Sequence, residues 1–141
     1  MNKKILIFTA TYNEAENIRK FIEKILKLNI KLDLLIIDDN SPDETWKIVN
    51  EYKKESENII LVKRESKEGL DTAHKLAFNY AKDHNYDYLI TLDADLSHDP
   101  EKIPSFLDEL KNNPFLIGSR YVKNGKNEMK LKRYILSSVG N

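Results

Sequence analysis

In Tyr88–Asp95, which reads YLITLDAD, an apolar, strand-like run ends in two carboxylates that are one residue apart. A second apolar run, Leu34–Ile37, is followed directly by Asp38 and Asp39. Because ligands of open α/β sheets bind at the carboxyl ends of strands, two acidic strand ends predict one shared site. Paired carboxylates there suit a hard divalent cation that also binds substrate phosphates. The alternative is that these residues only end the strands and cap the helices that follow.

Strand-like and helix-like patterns alternate along the whole chain. Short apolar runs predict strands at Ile5–Phe8, Leu34–Ile37, Ile59–Val62, Leu89–Leu92 and Phe115–Ile117. Apolar residues at helical spacing predict helices around Ile18–Leu26, Trp46–Tyr52, Ala73–Ala81, Ile103–Leu110 (starting near Pro100) and Lys130–Val139. This order is typical of right-handed βαβ units, so the expected fold class is α/β with a mainly parallel sheet.

Composition excludes several classes of protein. The chain has 141 residues, enough for one domain with a substantial core. Lys plus Arg and Asp plus Glu both number 23, so no nucleic acid partner is expected. Cysteine is absent, which excludes disulfides, thiolate metal sites and cysteine nucleophiles and fits a reducing compartment. No apolar run approaches the roughly 18 residues that span a bilayer. The expected location is therefore cytoplasmic, with peripheral association with the cytoplasmic face of a membrane left open.

The segment after the first strand, Thr9–Glu14, brings an aromatic side chain to the predicted site. Thr11 or Asn13 is expected to cap the helix that follows, where acidic residues are favourable in the first turn. Capping does not explain Tyr12. Because loops at this edge of the sheet bind ligands, the ring of Tyr12 is a candidate to pack against a base.

The segment after the second strand, Asp38–Asp43, has the composition of a turn. Asn40 tolerates a left-handed backbone, Ser41 is expected to cap the next helix, and Pro42 suits the first helical position. This leaves the acidic pair unexplained. Asp39 is expected to face the cleft and to accept hydrogen bonds from a base or a ribose.

The loops after the third and fourth predicted strands bear on the kind of nucleotide or metal site that the chain has. Gly69 precedes a helix that Asp71 or Thr72 is expected to cap. Neither a Walker nor a GxGxxG pattern occurs, which argues against an ATPase and a dinucleotide-dependent dehydrogenase.

After the fourth strand, Asp99 is expected to cap the next helix. His98 is a candidate third metal ligand, although a lone histidine near a turn is more often a hydrogen-bonding residue.

Arg120 follows the predicted fifth strand and is expected to emerge at the same sheet edge. A cation there would neutralise charge on a departing diphosphate, whereas Lys132 is more simply a solvated surface charge. A receiver-like signalling domain also has acidic strand ends, but it requires an aspartate after the third strand and a lysine after the fifth. The chain has Lys63–Glu65 and Arg120 at these places, which disfavours that class.

Six segments together resemble family 2 glycosyltransferases, and among them the dolichyl-phosphate or polyprenyl-phosphate mannosyltransferases. They are Thr11–Glu14, Asp38–Asp43, Gly69–Ala73, Asp93–His98, Gly118–Tyr121 and Lys132–Arg133, in the order of the family. The resemblance implies the GT-A fold, a Rossmann-like three-layer α/β/α sandwich, with residues 1–141 as a single catalytic domain. The chain departs from the family at Ala10, usually proline, and at Asn40, Glu44 and Asp71, where glycine is common. The family's domain normally continues past the position of Asn141, so the acceptor side is expected to be incomplete.

The resemblance also implies the roles of individual residues. The nucleotide-sugar pocket would be lined by Ala10, Tyr12, Glu14, Ile37, Asp39, Asp93 and Ala94. Mg²⁺ or Mn²⁺ would be held by Asp93 and Asp95, with Ser97 as a further polar residue on the metal side. Arg120 and Arg133 would bind the donor phosphates. The catalytic set implied in this way is Asp93, Asp95, Arg120 and Arg133.

The implied activity is metal-dependent, inverting transfer of a sugar from a nucleoside-diphosphate sugar, with GDP-mannose as the first candidate, to a polyprenyl or dolichyl phosphate. An acceptor phosphate monoester carries about −1.5 to −2 charges near neutral pH, so it can attack without a strong protein base. Two alternatives remain. One is transfer to a saccharide hydroxyl, which needs a general base. The other is a nucleotide-sugar-binding module without transfer activity, because the acceptor half is missing.

Overall fold

In the computed structural model, which describes residues 3–118, four strands form one parallel sheet. The elements are β1 (Ile5–Thr11), α1 (Ala15–Leu26), β2 (Asp33–Asp38), α2 (Thr45–Glu55), β3 (Ile59–Lys63), α3 (Leu70–Asp83), β4 (Tyr88–Thr91), a short 3₁₀ helix (Pro100–Lys102) and α4 (Ile103–Glu109). This alternation confirms the α/β class with a parallel sheet that the apolar pattern predicts.

The strand order is β3-β2-β1-β4, with β1 between two partners. Ile7 of β1 is in register with Leu34 of β2 on one side and with Ile90 of β4 on the other. The chain therefore winds outward from β1 to β3 and then crosses back, through α3, to the far side of β1. Where the winding direction reverses, between β1 and β4, an open α/β sheet has its ligand crevice at the carboxyl ends of the strands.

The two faces of the sheet bury different side chains, because successive strand residues point to opposite faces. On one face, an apolar cluster consists of Leu6, Phe8, Leu35, Ile37, Ala73, Ala77 and Ala81. The contribution of α3 to it is a row of alanines spaced by four residues, which suits one face of a helix. The buried side of α1 consists of Ile18, Phe21, Ile22 and Ile25. Apolar packing thus holds in place the strands that carry the loops at the carboxyl edge of the sheet.

The predicted fifth strand is wrong. Phe115–Ile117 lies outside any strand, and Phe115 and Ile117 are 75% and 77% exposed. Three consecutive apolar residues have the composition of a strand, but strand geometry is stabilised only when the backbone pairs with a neighbour. The described chain divides into two compact units between Pro104 and Ser105, and this segment belongs to the second. The predicted helix at Lys130–Val139 lies outside the described residues.

The start of α1 is capped by side chains from the start of α2 and from the turn before it. Its N-cap residue, Glu14, makes no side-chain capping bond. Thr45 Oγ1 accepts a hydrogen bond from the backbone N–H of Glu14 at 2.9 Å, and Asp43 Oδ2 accepts one from the next N–H, also at 2.9 Å. The prediction that Thr11 or Asn13 caps α1 is therefore wrong, because the neighbouring loop satisfies these donors.

The helix α2 begins at Thr45, which is later than the start that the prediction for Pro42 implies. Ser41 does not cap it, because the Ser41 hydroxyl donates to Asp38 Oδ2 at 2.7 Å. Pro42 is likewise in the turn before the helix rather than at the first helical position. The N-cap residue is Glu44, which makes no side-chain capping bond. Both predictions for this turn, the Ser41 cap and the Pro42 position, are corrected by these contacts.

Asn40, Glu44 and Gly69 are among the positions outside helices and strands that adopt a positive φ. Asn40 has φ 55°, which confirms the predicted left-handed backbone, and Glu44 and Gly69 have φ 63° and 94°. Gly69 is the N-cap residue of α3, so Asp71 and Thr72 lie inside the first turn. The prediction that one of these two caps α3 is wrong, because a capping residue must precede the first turn.

Candidate functional site

A buried carboxylate, that of Asp38, ties together the carboxyl ends of β1 and β2. Asp38 is 0% exposed, and its Oδ2 accepts hydrogen bonds from Thr11 Oγ1 at 2.8 Å and from Ser41 Oγ at 2.7 Å. Ser41 Oγ in turn accepts a bond from the backbone N–H of Asn13 at 3.0 Å. Asp38 therefore holds two loops in position and is part of the support of the site rather than its surface.

The neighbouring carboxylate, that of Asp39, is paired with a residue from β3's carboxyl end. The Nε and Nη2 atoms of Arg64 both bond Asp39 Oδ1, and the two side chains are only 7% and 8% exposed. Asp39 Oδ2 accepts hydrogen bonds from the backbone N–H groups of Glu68 and Gly69, each at 3.2 Å. Both oxygens of Asp39 are thus engaged inside the protein.

Arg64 is a residue whose role the sequence analysis missed. Its Nη2 donates to the carbonyl of Gly69 at 3.0 Å, its Nη1 donates to Thr72 Oγ1, and its backbone N–H donates to the carbonyl of Asp38 at 2.8 Å. The signal was present: a cation follows β3 just as Asp39 follows the adjacent β2. Because neighbouring strand ends meet at one edge, a pair of opposite charge was to be expected.

These contacts bear on the expected role of Asp39. A carboxylate has about four acceptor positions, and those of Asp39 are occupied by two nitrogens of Arg64 and by the N–H groups of Glu68 and Gly69. These bonds orient the side chain and fix the loop before α3. A contact of Asp39 with a base or ribose is a proposal, and it requires one of these bonds to be exchanged.

The other predicted pocket residues fall into two groups. Ala10 and Ile37 are register partners on β1 and β2, and Ile37 is fully buried, so its side chain belongs to the core. Tyr12 is 38% exposed, and the Nζ of Lys67 lies 3.9 Å from the centroid of its ring. Glu14 is half-buried at the start of α1. Of these residues, Tyr12 and Glu14 present side chains that a ligand could reach.

The loop after β4 carries the acidic pair on either side of a buried residue, Ala94. The side chain of Asp93 is 60% exposed, and Asp95 Oδ1 accepts a hydrogen bond from the backbone N–H of Ser97 at 2.9 Å. His98 Nδ1 accepts a bond from the backbone N–H of Asp93 at 3.2 Å. His98 thus behaves as a hydrogen-bonding residue of the loop, the more ordinary of the two interpretations.

The loop after β4 has oxygen donors of the kind that a hard divalent cation prefers. No group of three or more His, Cys, Asp or Glu side chains within residues 3–118 could hold a metal ion by itself. Mg²⁺ and similar ions need fewer protein ligands, because they keep waters and substrate phosphates in their coordination shell. Asp93 and Asp95 supply hard oxygen donors beside the crevice, and the N–H of Ser97 orients one of them.

The same loop ends in a capped turn. Asp99 Oδ1 accepts a hydrogen bond from the backbone N–H of Glu101 at 3.1 Å, which confirms its predicted capping role. Within the loop, Leu96 has φ 63°. A side-chain-bearing residue in this left-handed conformation costs roughly 1–2 kcal/mol. The turn is therefore held by its surroundings against the backbone preference of Leu96.

The carboxylate of Asp43 joins the starts of α1 and α2. Its Oδ2 accepts from the N–H of Ala15 at 2.9 Å, and its Oδ1 accepts from the N–H of Thr45 at 3.0 Å and from Thr45 Oγ1 at 2.6 Å. Burial alone would raise the pKa of Asp43. The hydrogen bonds from Thr45 and Ala15 to the charged form outweigh it, so the pKa lies below its ordinary value.

Two predicted phosphate-binding residues, Arg120 and Arg133, lie outside the described residues, as does Lys132. Within residues 3–118, no helix is long and apolar enough to cross a bilayer.

Comparison with known proteins gives the chain its family. The model of glycosyl transferase family 2 matches residues 6–137. The dolichol-phosphate mannosyltransferase of Pyrococcus furiosus is 34% identical over 128 residues, which are 89% of this chain and 35% of that protein. The undecaprenyl-phosphate mannosyltransferase of Micrococcus luteus is 32% identical over 123 residues, 87% of this chain and 51% of that protein. The polyprenol monophosphomannose synthase of Mycolicibacterium smegmatis is 32% identical over 142 residues, 99% of this chain and 54% of that protein.

Solved structures show the same fold. The mannosyltransferase PcManGT from Pyrobaculum calidifontis, solved with GDP-Man and Mn²⁺, has a TM-score of 0.69 at 21% identity over 80% of this chain and 34% of that one. A fragment of S. aureus TarS has a TM-score of 0.62 at 19% identity, over 85% of this chain and 40% of that one. The GT-A fold implied by the sequence resemblance is confirmed by these likenesses. The chain belongs to glycosyl transferase family 2.

Proposed function

We propose that this chain acts in an inverting transfer of mannose from a nucleoside-diphosphate sugar, with GDP-mannose as the first candidate, to a polyprenyl or dolichyl phosphate. The observation that carries the proposal is the crevice between β1 and β4, where the exposed ring of Tyr12 and the exposed carboxylate of Asp93 follow adjacent strands. Three relatives are named for mannosyl transfer or for mannosylated polyprenyl phosphates, which supports this choice of sugar and acceptor.

The nucleoside end of the donor is assigned to the edge formed by β1 and β2. Tyr12 would contact the base, and Glu14 would provide acceptors for base or ribose hydrogens. Asp39 would accept such a hydrogen in exchange for one of its bonds within the protein. Ala10 and Ile37 would shape the floor of this pocket, since both lie at the carboxyl ends of their strands. Ala94 would lie against the donor on the β4 side.

The diphosphate end is assigned to the loop after β4. Asp93 and Asp95, with Ser97 beside them, are the residues that would hold Mg²⁺ or Mn²⁺. When bound, such an ion supplies Lewis-acid stabilisation to a departing diphosphate. Arg120 and Arg133 are proposed to bind the same phosphates, where positive charge favours the leaving group.

The transfer itself needs little from the protein beyond positioning. An oxygen of the acceptor phosphate forms a bond to the anomeric carbon while the bond from that carbon to the nucleoside diphosphate breaks. Because the acceptor is already anionic, no proton must be removed from it. Binding donor and acceptor in line then supplies much of the rate enhancement. A lipid-bound acceptor of this kind would place the reaction at a membrane surface.

A second candidate is donor binding without transfer. It requires only the nucleotide site, and the candidate residues Tyr12, Asp93 and Asp95 all lie in the part of the chain that the structure describes. This candidate predicts the same nucleotide site without turnover. Transfer to a saccharide hydroxyl is the third reading, and it would additionally require a general base.

Calorimetric titration with GDP, UDP and CDP, each with and without Mn²⁺, tests the donor site. The expected result is that GDP binds in the presence of Mn²⁺ and that UDP and CDP do not. A transfer assay with GDP-mannose and a polyprenyl phosphate would follow. Product formation supports the proposed activity, whereas binding without product supports the second candidate. If none of the three nucleotides binds, the proposed donor site is wrong.

A further inference from the structure

The Tyr12 ring, which is assigned to the base, is already in contact with the ammonium group of Lys67. Its Nζ lies 3.9 Å from the centroid of the Tyr12 ring, well inside the roughly 6 Å range of a cation–π contact. Tyr12 follows β1, whereas Lys67 belongs to the loop between β3 and α3. The contact therefore reaches across the carboxyl end of β2, which lies between β3 and β1 in the sheet. This is the edge to which the nucleoside is assigned.

The backbone on both sides of Lys67 is anchored. Asn40 Nδ2 donates to the carbonyl of Glu65 at 3.0 Å, and Asp39 Oδ2 accepts from the N–H groups of Glu68 and Gly69 at 3.2 Å. The loop is thus hydrogen-bonded to residues at the end of β2 on both sides of Lys67. The Lys67 side chain can leave the ring by its own rotation, without any movement of this anchored backbone.

We infer that Lys67 competes with the nucleoside base for the face of Tyr12 and so sets the affinity for the donor; this rests on the proposed function. An ammonium group and a stacked base cannot share one ring face, because each requires close contact with the same π surface. Donor binding therefore includes the displacement of Lys67. Loss of the cation–π contact therefore makes the free energy of nucleotide binding less favourable.

Removing Lys67 has a second effect that must be separated from the first. A lysine displaced from the ring still attracts the anionic diphosphate, so Lys67→Ala loses that attraction while it opens the ring. The electrostatic part does not depend on the aromatic ring. The same substitution in a Tyr12→Leu background therefore measures it alone, and the difference between the two backgrounds isolates the competition.

The experiment measures the Kd for GDP with Mn²⁺ by calorimetry in four proteins: wild type, Lys67→Ala, Tyr12→Leu and the double variant. Take the ratio of the Kd of Lys67→Ala to the Kd of its parent. This ratio is expected to be about two- to fivefold lower in the wild-type background than in the Tyr12→Leu background, the size of an exposed cation–π contact. Lys67→Arg is the matched control, because it keeps a cation for the ring, and its Kd should stay within about twofold of wild type. An equal effect of Lys67→Ala in both backgrounds overturns the inference.

A second readout follows the side chain itself. In the free protein, the Lys67 side-chain methylene protons nearest the ammonium should show NMR signals shifted upfield by the Tyr12 ring, and GDP with Mg²⁺, which is diamagnetic, should abolish the shift. A shift that persists at saturating GDP overturns the inference, since the cation would then remain on the ring. If GDP, UDP and CDP bind to none of the four proteins, the proposed function fails and this inference fails with it. Nucleotide binding without the Tyr12-dependent difference overturns this inference alone.

Discussion

Arg64 and Asp39 form a buried ion pair that joins the carboxyl end of β2 to the loop before α3. The pair is more than a charge contact, because Arg64 also bonds the Gly69 carbonyl and Thr72 Oγ1 while Asp39 receives two backbone N–H groups. A guanidinium presents five donors in a rigid fork, which suits this many partners. The geometry of two neighbouring loops thus depends on one arginine.

Arg64→Met should strongly destabilise the protein. It leaves the Asp39 carboxylate buried without its cation, and breaking such a pair on one side costs about 3–5 kcal/mol. Urea denaturation measures the loss. The matched control is Arg19→Met, since Arg19 pairs with Glu51 at 3.4 Å in an exposed setting, with side chains 54% and 64% exposed. That variant should lose at most about 1 kcal/mol, and equal losses in both would show that the buried pair has no special role.

Thr9→Val should raise the stability of the protein. Thr9 is 0% exposed, and its hydroxyl has no hydrogen-bond partner among the residues that the structure describes. An unsatisfied buried polar group costs about 1–3 kcal/mol, and valine has nearly the same shape. The expected gain is therefore about 1 kcal/mol in the free energy of unfolding.

Thr11→Val is the control for this substitution on the same strand. Thr11 is also buried, at 3% exposure, but its hydroxyl donates to Asp38 at 2.8 Å. The same chemical change should here cost about 1–2 kcal/mol, because a charged acceptor loses a donor. Denaturation curves of the two variants with the same sign would contradict this account.

Asp43 should make the stability of the protein depend on pH in the acidic range. Its folded-state pKa is lowered, so the unfolded state binds the proton more tightly. The stabilisation is therefore present above the unfolded-state pKa and is lost as the pH falls through the folded-state pKa. Asp43→Ala should cost about 1–2 kcal/mol at neutral pH, since it removes caps from two helices.

The difference in stability between wild type and Asp43→Ala should shrink as the solution is acidified through the carboxyl range. Asp43→Asn is the useful comparison, because the amide keeps a capping oxygen but does not titrate in this range. Its stability relative to Asp43→Ala should not vary with pH. A wild-type difference that stays constant down to pH 2 would show that the capping bonds do not favour the ionised form.

Asp95→Ala should remove metal-dependent nucleotide binding while leaving the fold intact, because Asp95 is exposed. We expect GDP affinity in the presence of Mn²⁺ to fall at least about tenfold, as is common for changes around metal sites. Asp83→Ala, at the exposed end of α3, is the matched control and should bind as wild type does. Unchanged affinity in Asp95→Ala would contradict the metal assignment.

Local patterns predicted the strands that pair in this sheet. The apolar runs at β1 and β2 are strong because central parallel strands are buried on both faces, whereas β3 and β4 lie at the edges and are only partly buried. Phe115–Ile117 has the same composition but is not a strand. Pairing is a property of two segments, and composition reports only one of them.

The capping prediction for α1 failed for a related reason, although the one for Asp99 was confirmed. It assumed that a helix is capped by the residues just before it, whereas Thr45, at the start of α2, and Asp43, in the preceding turn, cap α1 from about thirty residues away. Arg64 was overlooked because its partner, Asp39, lies on another loop. The acidic loop after β4 could be singled out from the sequence, since Asp93 and Asp95 follow the apolar run without interruption.

The position of β1 between β2 and β4 has a consequence for how the protein folds. Leu6 of β1 pairs with Asp33 of β2, which follows early in the chain, whereas its partner on the other side, Leu89 of β4, is synthesised much later. Pairings between distant segments form slowly, because a long loop must close first. We expect β1, β2 and β3 to associate before β4 arrives. The acidic loop would then join last, so that the ability to bind a nucleotide would report completion of the sheet during refolding.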